Sequence, residues 1–331
     1  MTDDLIGTLR ASQPWTPAPV PEDVPHGDMP GDQVSIGPAH VDKATALFPM
    51  LVTELLPALT ASPVSRAVVA VSGGSGVGKS EIASLLSFFL RSAGVGSYTL
   101  SGDNYPRRIP SQNDAERLRV FRDGGTRGLV VDGLLTPERS TLLRGLQGAD
   151  VDADPGRVAD HGWLASYQRA GRGALKGYLG TPAEVDFDHL SASVGQFKNG
   201  ADKVHLRRMG RGPADLWYDA VDLARVSVLV IEWTHGSSDH LRGVDVRVLL
   251  HSTPAETLAH RRARGRDGAT DSPFTAMVLG LEQELLDGQA AGAQIILAKN
   301  GERLSHRRYR ELMAQDESVT GGADDTADAD G

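Results

Sequence analysis

The chain has 331 residues, a formal net charge of −9 and no cysteine. That length suffices for one large α/β domain or two smaller ones with a full core, and the missing cysteines exclude disulfides and thiolate metal sites, which fits a reducing cytoplasm. Asp316, Glu317, Asp324, Asp325, Asp328 and Asp330 carry much of the negative charge at the C-terminus, so the body is nearly neutral and nothing points to a nucleic-acid surface.

The first residues, Met1-Thr2-Asp3-Asp4-Leu5, lack the basic and apolar regions of a secretory leader. No apolar run approaches the roughly 20 residues a membrane span needs. A cytoplasmic chain without a membrane partner is therefore expected. Residues 12 to 38 are rich in Pro, Asp and Gly and read as irregular, so residues 1–40 are set apart as an N-terminal arm. From Val41 to Leu59 the spacing of Ala44, Leu47, Leu51, Leu55 and Leu59 predicts a helix. Ala67-Val68-Val69-Ala70-Val71 is an apolar, β-branched run that reads as a buried parallel strand.

Directly after it stand Gly73-Gly74-Ser75-Gly76-Val77-Gly78-Lys79-Ser80, which satisfy the phosphate-loop pattern G-x-x-x-x-G-K-[ST] in full. Residues Glu81 to Leu90 follow with helical spacing. Strand, glycine loop and helix form the context this motif requires. Glycines let backbone N–H groups approach phosphate oxygens, and the helix N-terminus adds partial positive charge. Lys79 is expected to reach the β- and γ-phosphates of ATP, and the Ser80 hydroxyl to ligate Mg²⁺.

A second strand is predicted over Ser97 to Leu100, ending at Ser101-Gly102-Asp103-Asn104-Tyr105. Residues 106–181 are polar, Gly-rich and mostly helical or looped, and read as an insertion. A helix over Phe187 to Lys198 follows, then a strand at Val226 to Ile231 ending in Glu232, and another at Val244 to Leu250. Ala255 to Arg266 reads as a strongly basic helix, Phe274 to Ala290 as a further helix, and Ala293 to Ala298 as a last short strand. Residues 315–331 are acidic, lack aromatics and read as a disordered tail. Alternating strands and helices imply an α/β fold of the P-loop type, a doubly wound and mainly parallel sheet with ligands at the carboxyl ends of its strands. The domain is placed at 41–314.

Other residues must choose among the reactions a phosphate loop can serve. A GTPase would show an Asn-Lys-x-Asp motif, and Lys299-Asn300-Gly301-Glu302 has the wrong order. Transfer to a small hydroxyl needs a base, carboxylates around Mg²⁺ and cations for the moving phosphoryl. Asp103, at the carboxyl end of the second strand, is the candidate base; its plainer reading is an ordinary turn aspartate. Glu232 ends a buried strand, where a carboxylate needs a partner such as Mg²⁺ or its water. Arg262 and Arg266, one helical turn apart, are the candidate cations. Arg207, Arg208 and Arg211 are candidates for meeting an anionic substrate. His235 could contact substrate, and Trp163, Tyr167, Arg169 and Tyr178 of the insertion could stack on or pair with an acceptor.

These motifs together resemble the uridine kinase and phosphoribulokinase-like family of P-loop kinases. Ser101-Gly102-Asp103-Asn104-Tyr105 is similar to its Asp-x-Phe-Tyr segment, whose Asp is the base. Pro182 through Phe187-Asp188 and then Gln196 to Gly200 resemble its His-Pro-x-x-Phe-Asp and Leu-Lys-x-Gly stretches. Val230-Ile231-Glu232 resembles its strand ending in Glu-Gly, with Trp233 where that pattern has Gly. Arg261-Arg262 through Arg266-Asp267 is similar to its Arg-rich lid. The resemblance runs from about 66 to 302 with a large gap. It implies an ATP- and Mg²⁺-dependent kinase acting on a small-molecule hydroxyl, with a nucleoside, a sugar or a related metabolite as acceptor. An adenylylsulfate-kinase-like enzyme and a non-enzymatic ATP-binding sensor are the alternatives. No nucleic-acid partner is expected, and a homodimer is left open.

Overall fold

The computed structural model describes residues 2–32, 34–212, 214–252 and 272–321. Its centre is a six-stranded sheet in the order β2-β5-β1-β6-β7-β8. The strands are β1 (Ala67–Gly73), β2 (Ser97–Ser101), β5 (Val228–Glu232), β6 (Val246–Leu250), β7 (Ile295–Leu297) and β8 (Arg303–Leu304). All neighbours pair parallel except β7 and β8. The doubly wound, mainly parallel sheet expected from the sequence is thus present. Every residue of β1 is buried, as a central parallel strand covered on both faces requires. Its alternation sorts the core into two layers. Ala67, Val69 and Val71 face α2 (Pro38–Ala61) and α3 (Lys79–Ser92). Val68 faces α8 (Phe187–Lys198) and a two-stranded hairpin.

The chain order reverses at β1, which has β5 and β2 on one side and β6 and β7 on the other. Such a reversal opens a crevice beyond the carboxyl ends of the strands. The glycine loop leaves β1 at that place.

Several expectations need correction. Residues 1–40 are not wholly irregular: α1 (Thr2–Ala11) is helical, and its Ile6 and Leu9 are buried. The helix α2 is long and apolar enough to cross a membrane by length and composition, contrary to the expectation that no apolar run reaches that length. Its Ala44, Leu47, Phe48, Leu51, Val52, Leu55 and Leu59 are buried in the core here. The antiparallel hairpin of β3 (Lys203–Met209) and β4 (Leu216–Asp222) was not anticipated. Its β4 alternates neither in burial nor in polarity, since six of its seven residues are exposed. The short strand β7 is not the last, because β8 adds an antiparallel edge. Helix α10 (His306–Gly321) carries regular structure into the stretch expected to be disordered.

The insertion is a helical unit of α4 (Pro110–Val131), α5 (Pro137–Gly148), α6 (Arg157–Asp160) and α7 (Leu164–Lys176). Four of its glycines, Gly124, Gly125, Gly128 and Gly171, serve close packing. A Cβ on Gly124 would lie 2.3 Å from the Cβ of Ala174, and one on Gly125 would lie 2.6 Å from the Tyr167 ring. Gly171 meets Phe121 in the same way. Small residues on facing sides let α4 and α7 approach closely, and this explains a glycine content that in sequence suggests loops.

Candidate active site

The sharp turn of the glycine loop needs left-handed backbone at Gly76 (φ 80°) and Gly78 (φ 93°), which glycine adopts without steric cost. The loop closes on itself, with Lys79 Nζ donating to the Gly74 carbonyl at 3.0 Å. Lys79 and Ser80 open α3, so the loop's N–H groups and the positive end of a 14-residue helix converge.

The Ser80 hydroxyl donates to Glu232 Oε2 at 3.1 Å. Glu232 ends β5 next to β1, and the parallel register pairs it with Val71 on one side and Ser101 on the other. Its second oxygen accepts from the Ser101 hydroxyl. Only 3 % of Glu232 is exposed. Burial and the nearby Asp103 push its carboxyl up to about 8, against the pull of Ser101, Lys79 and Ser80. A buried carboxylate whose ionised form is this costly fits a place where a cation belongs. The hydroxyl and carboxylate are hard oxygen donors of the kind Mg²⁺ takes, one or two from protein and the rest from phosphates and water.

Asp103 sits on a 3-10 turn, Gly102–Asn104, that follows β2. It is exposed and lines the cleft. The surrounding protein pushes its carboxyl up, while Lys79 and Arg117 draw it down. The turn can approach the sheet because residue 102 is glycine: a Cβ there would fall 2.1 Å from Cγ of Trp233. Trp233, buried directly after Glu232, fills the space that the missing side chain leaves.

Asp103 and Ser75 of the glycine loop share a cavity of about 500 Å³. Its wall holds the acids Asp114, Glu184 and Glu282, the amide Asn113, the cation Arg117, the ring of His235, and the apolar faces of Trp233 and Phe274. Arg117 Nε donates to Glu184 at 2.6 Å, and an Arg117 nitrogen lies 3.3 Å from Glu282. Burial works against the Arg117 charge, but Glu282 and Glu184 hold the guanidinium firmly protonated. Asn113 Nδ2 also donates to Glu184. Burial pushes His235 down to about 4, so its ring is neutral at pH 7.

The structure therefore brings Lys79, Ser80, Asp103 and Glu232 to one sheet edge, and places His235 in the adjoining cavity wall. Arg262 and Arg266 lie outside the described residues. Arg208 is committed elsewhere, to Asp28 at 2.9 Å and Asp219 at 3.0 Å. Arg207 is buried near Asp186 and away from the cavity wall, and Arg211 is exposed in the β3–β4 loop. Tyr167 packs in the insertion's own core, where its hydroxyl bonds Asp152. Trp163 packs beside that core, Tyr178 accepts from Arg108, and Arg169 pairs with Asp132. None of these four lines the cavity. The insertion contributes Asn113, Asp114 and Arg117 instead, from the first turns of α4, and α9 (Pro273–Gln289) contributes Phe274 and Glu282. No local pattern marks these residues in sequence, because their proximity arises from helix packing over long sequence separations.

Fold and loop together define a P-loop nucleotide-binding domain with a substrate-sized cavity beside the loop. No family model matches the chain. Over 237 residues, 72 % of the chain, it is 37 % identical to the bifunctional α-galactosidase/sucrose kinase AgaSK of Mediterraneibacter gnavus. The match spans only 20 % of that relative's length. Among solved structures, it is similar to a protein provisionally assigned as a fructose transport system kinase from Silicibacter sp. TM1040. That likeness has 18 % identity and a TM-score of 0.44, covering 75 % of this chain and 94 % of the other. It is also similar to phosphoribulokinase from Rhodobacter spheroides, with 12 % identity, a TM-score of 0.43 and 70 % of each chain covered.

Proposed function

We propose that the chain transfers the γ-phosphoryl of ATP to a hydroxyl of a neutral, polyhydroxylated small molecule such as a mono- or disaccharide. The observation that carries this reading is the cavity: it adjoins the phosphate loop, holds Asp103 in its wall, and has the wrong charge for an anionic acceptor. Among the described residues its wall contains four carboxylates, Asp103, Asp114, Glu184 and Glu282, against one cation, Arg117, already paired with two of them. His235 adds no charge at pH 7. A second phosphate or sulfate would meet net repulsion in a low-dielectric cleft. Hydroxyl groups would instead find acceptors in the carboxylates and donors in Asn113 and Arg117. Trp233 and Phe274 supply apolar surface for the C–H faces of a sugar ring. The matched segment of a relative named as a sucrose kinase supports the same acceptor class.

In this reading Asp103 accepts a hydrogen bond from the acceptor hydroxyl and takes its proton as the oxygen attacks. Its upward-shifted carboxyl suits a group that must bind and release a proton. Lys79 leaves the Gly74 carbonyl and neutralises the β- and γ-phosphate oxygens. Ser80 and Glu232 would hold Mg²⁺, which supplies charge neutralisation between the phosphates when bound. Arg262 and Arg266 are proposed to meet the phosphates as well.

An ADP-release screen over neutral mono- and disaccharides (sucrose included), nucleosides, sugar phosphates and adenylylsulfate tests the proposal. Stimulation by a neutral saccharide is expected. Turnover only with phosphorylated or sulfated acceptors would refute the charge argument. ATP binding without any stimulated turnover would leave the sensor reading.

A further inference from the structure

The turn that presents Asp103 is held from outside the sheet. Asp28 belongs to the irregular part of the N-terminal arm, yet it is almost fully buried, with 8 % of its side chain exposed. Its Oδ1 accepts from the backbone N–H of Ser101 at 2.7 Å and from Asn104 Nδ2 at 3.1 Å. Its Oδ2 accepts from the Tyr98 hydroxyl at 3.0 Å and pairs with Arg208 at 2.9 Å. These donors come from β2, from the 3-10 turn and from β3. Asn104 closes the set by accepting from the Met209 N–H at 2.9 Å. One carboxylate thus binds the residues immediately before and after Gly102-Asp103. The neighbouring Gly27 lies over the site as well, close enough that a Cβ would stand 3.9 Å from Glu232 Oε1.

We propose that Asp28 is a positioning residue for phosphotransfer: it fixes the turn that aims Asp103 and the Ser101 hydroxyl that holds Glu232. Anchoring the arm does not require it. Trp15 already packs on Phe48 at 4.2 Å and on Phe89 at 5.4 Å between ring centroids, and Val20 and Ile36 join the same core. Nor is stability a sufficient reason, since the desolvation of a buried ion pair offsets much of its attraction. Convergence on both flanks of Asp103 is what this arrangement achieves. The role rests on the phosphotransfer reading above, while the geometric claim can be read without any turnover.

Asp28→Asn keeps the shape, removes the charge facing Arg208 and turns an N–H₂ group toward donors. Hydrogen exchange of the segment 98–106 should rise about tenfold while the glycine-loop segment stays unchanged. With an active acceptor, kcat should fall about 10- to 100-fold at an unchanged KM for ATP, as expected for a reacting group displaced by a fraction of an ångström. Trp15→Ala loosens the arm without touching Asp28, and should lower the melting temperature while kcat holds. Tyr98→Phe removes one donor to Asp28 and the hydroxyl that accepts from Arg208 at 3.0 Å, and covers the case in which Asp28→Asn does not fold; it should shift exchange and kcat in the same direction by less. Unchanged exchange in 98–106 overturns the proposal, as does a kcat loss equal to that of Trp15→Ala at matched loss of melting temperature. If the wild-type protein turns over no acceptor, the phosphotransfer reading fails, and the exchange result alone decides whether Asp28 holds the turn.

Discussion

Replacing Gly102 by Ala adds one methyl group at the tightest point of the site. The position is conformationally open to alanine, because it lies in a 3-10 turn and not in left-handed backbone. The obstacle is space alone: the new Cβ would lie 2.1 Å from Cγ, 2.3 Å from Cδ2 and 2.5 Å from Cβ of Trp233. Ordinary contact between such carbons is about 3.5–4.0 Å, so the turn or the indole must move by more than an ångström. Overpacking of this kind typically costs about 1–3 kcal/mol. Trp233 is buried against Phe187 at 5.2 Å and His235 at 5.1 Å, so the turn is the easier part to shift. A displacement near 1 Å at a reacting group costs about 100-fold in rate. Gly102→Ala should therefore lose about 100-fold in kcat with ATP affinity nearly unchanged, together with about 1–3 kcal/mol of stability in urea unfolding. Trp233→Ala alone should cost about 3–5 kcal/mol. The double variant should be more stable than additivity predicts by about 1 kcal/mol or more, since the truncated indole makes room for the methyl group. Additive stabilities, or a Gly102→Ala enzyme with wild-type turnover, would refute the argument that this glycine lets the turn dock on Trp233.

Within the insertion, Gly125→Ala should destabilise by about 1–2 kcal/mol, because overpacking against Tyr167 exceeds the roughly 1 kcal/mol gained in helix propensity. Gly173→Ala, with nothing within 4 Å of its Cβ, should be neutral or stabilising by up to about 1 kcal/mol; urea midpoints of the two variants decide, and equal effects would contradict the close approach of α4 and α7. His235 gives a pH dependence. Its folded value of about 4 lies below the ordinary 6.5 of a solvated imidazole, so the unfolded chain takes up a proton between these values and the folded chain does not. Stability should fall by about 2 kcal/mol from pH 7 to pH 5 through this group, and His235→Asn should remove that share of the difference in unfolding experiments. Lys79→Ala should weaken ATP binding or turnover by several kcal/mol in transition-state terms, checked by calorimetry and ADP release; wild-type values for both would remove the loop from the mechanism.

What could be read in the sequence divides along physical lines. The glycine loop, β1 and α3 are local patterns with a fixed chemical purpose; the apolar strand β5 announces itself by continuous burial, and β6 departs from that only at Arg247. Helix α8 has the bounds that its periodicity predicts, Phe187–Lys198. The hairpin stayed hidden because β4 is exposed along nearly its whole length and so lacks the alternation that burial of one face would impose. The cavity wall was hidden for a different reason. Arg117 and Glu184 stand 67 residues apart and Asp28 and Ser101 stand 73 apart, so their meeting is a product of tertiary packing. Asp28 also sits among prolines and glycines, where an aspartate ordinarily marks a solvated turn. The insertion's glycines misled in the same manner: glycine needed for close helix contact and glycine needed for a loop look alike in one sequence.

Asp103 is the group proposed to take the acceptor's proton. Asp103→Asn preserves the size of the side chain and abolishes the base. Titration calorimetry with Mg·ATP and acceptor-stimulated ADP release, made on the same preparation, separate binding from chemistry. The expected result is a rate lower by about 10² or more with the ATP dissociation constant within about twofold of wild type. An unchanged rate, or a loss of ATP binding as large as the loss of rate, would contradict it.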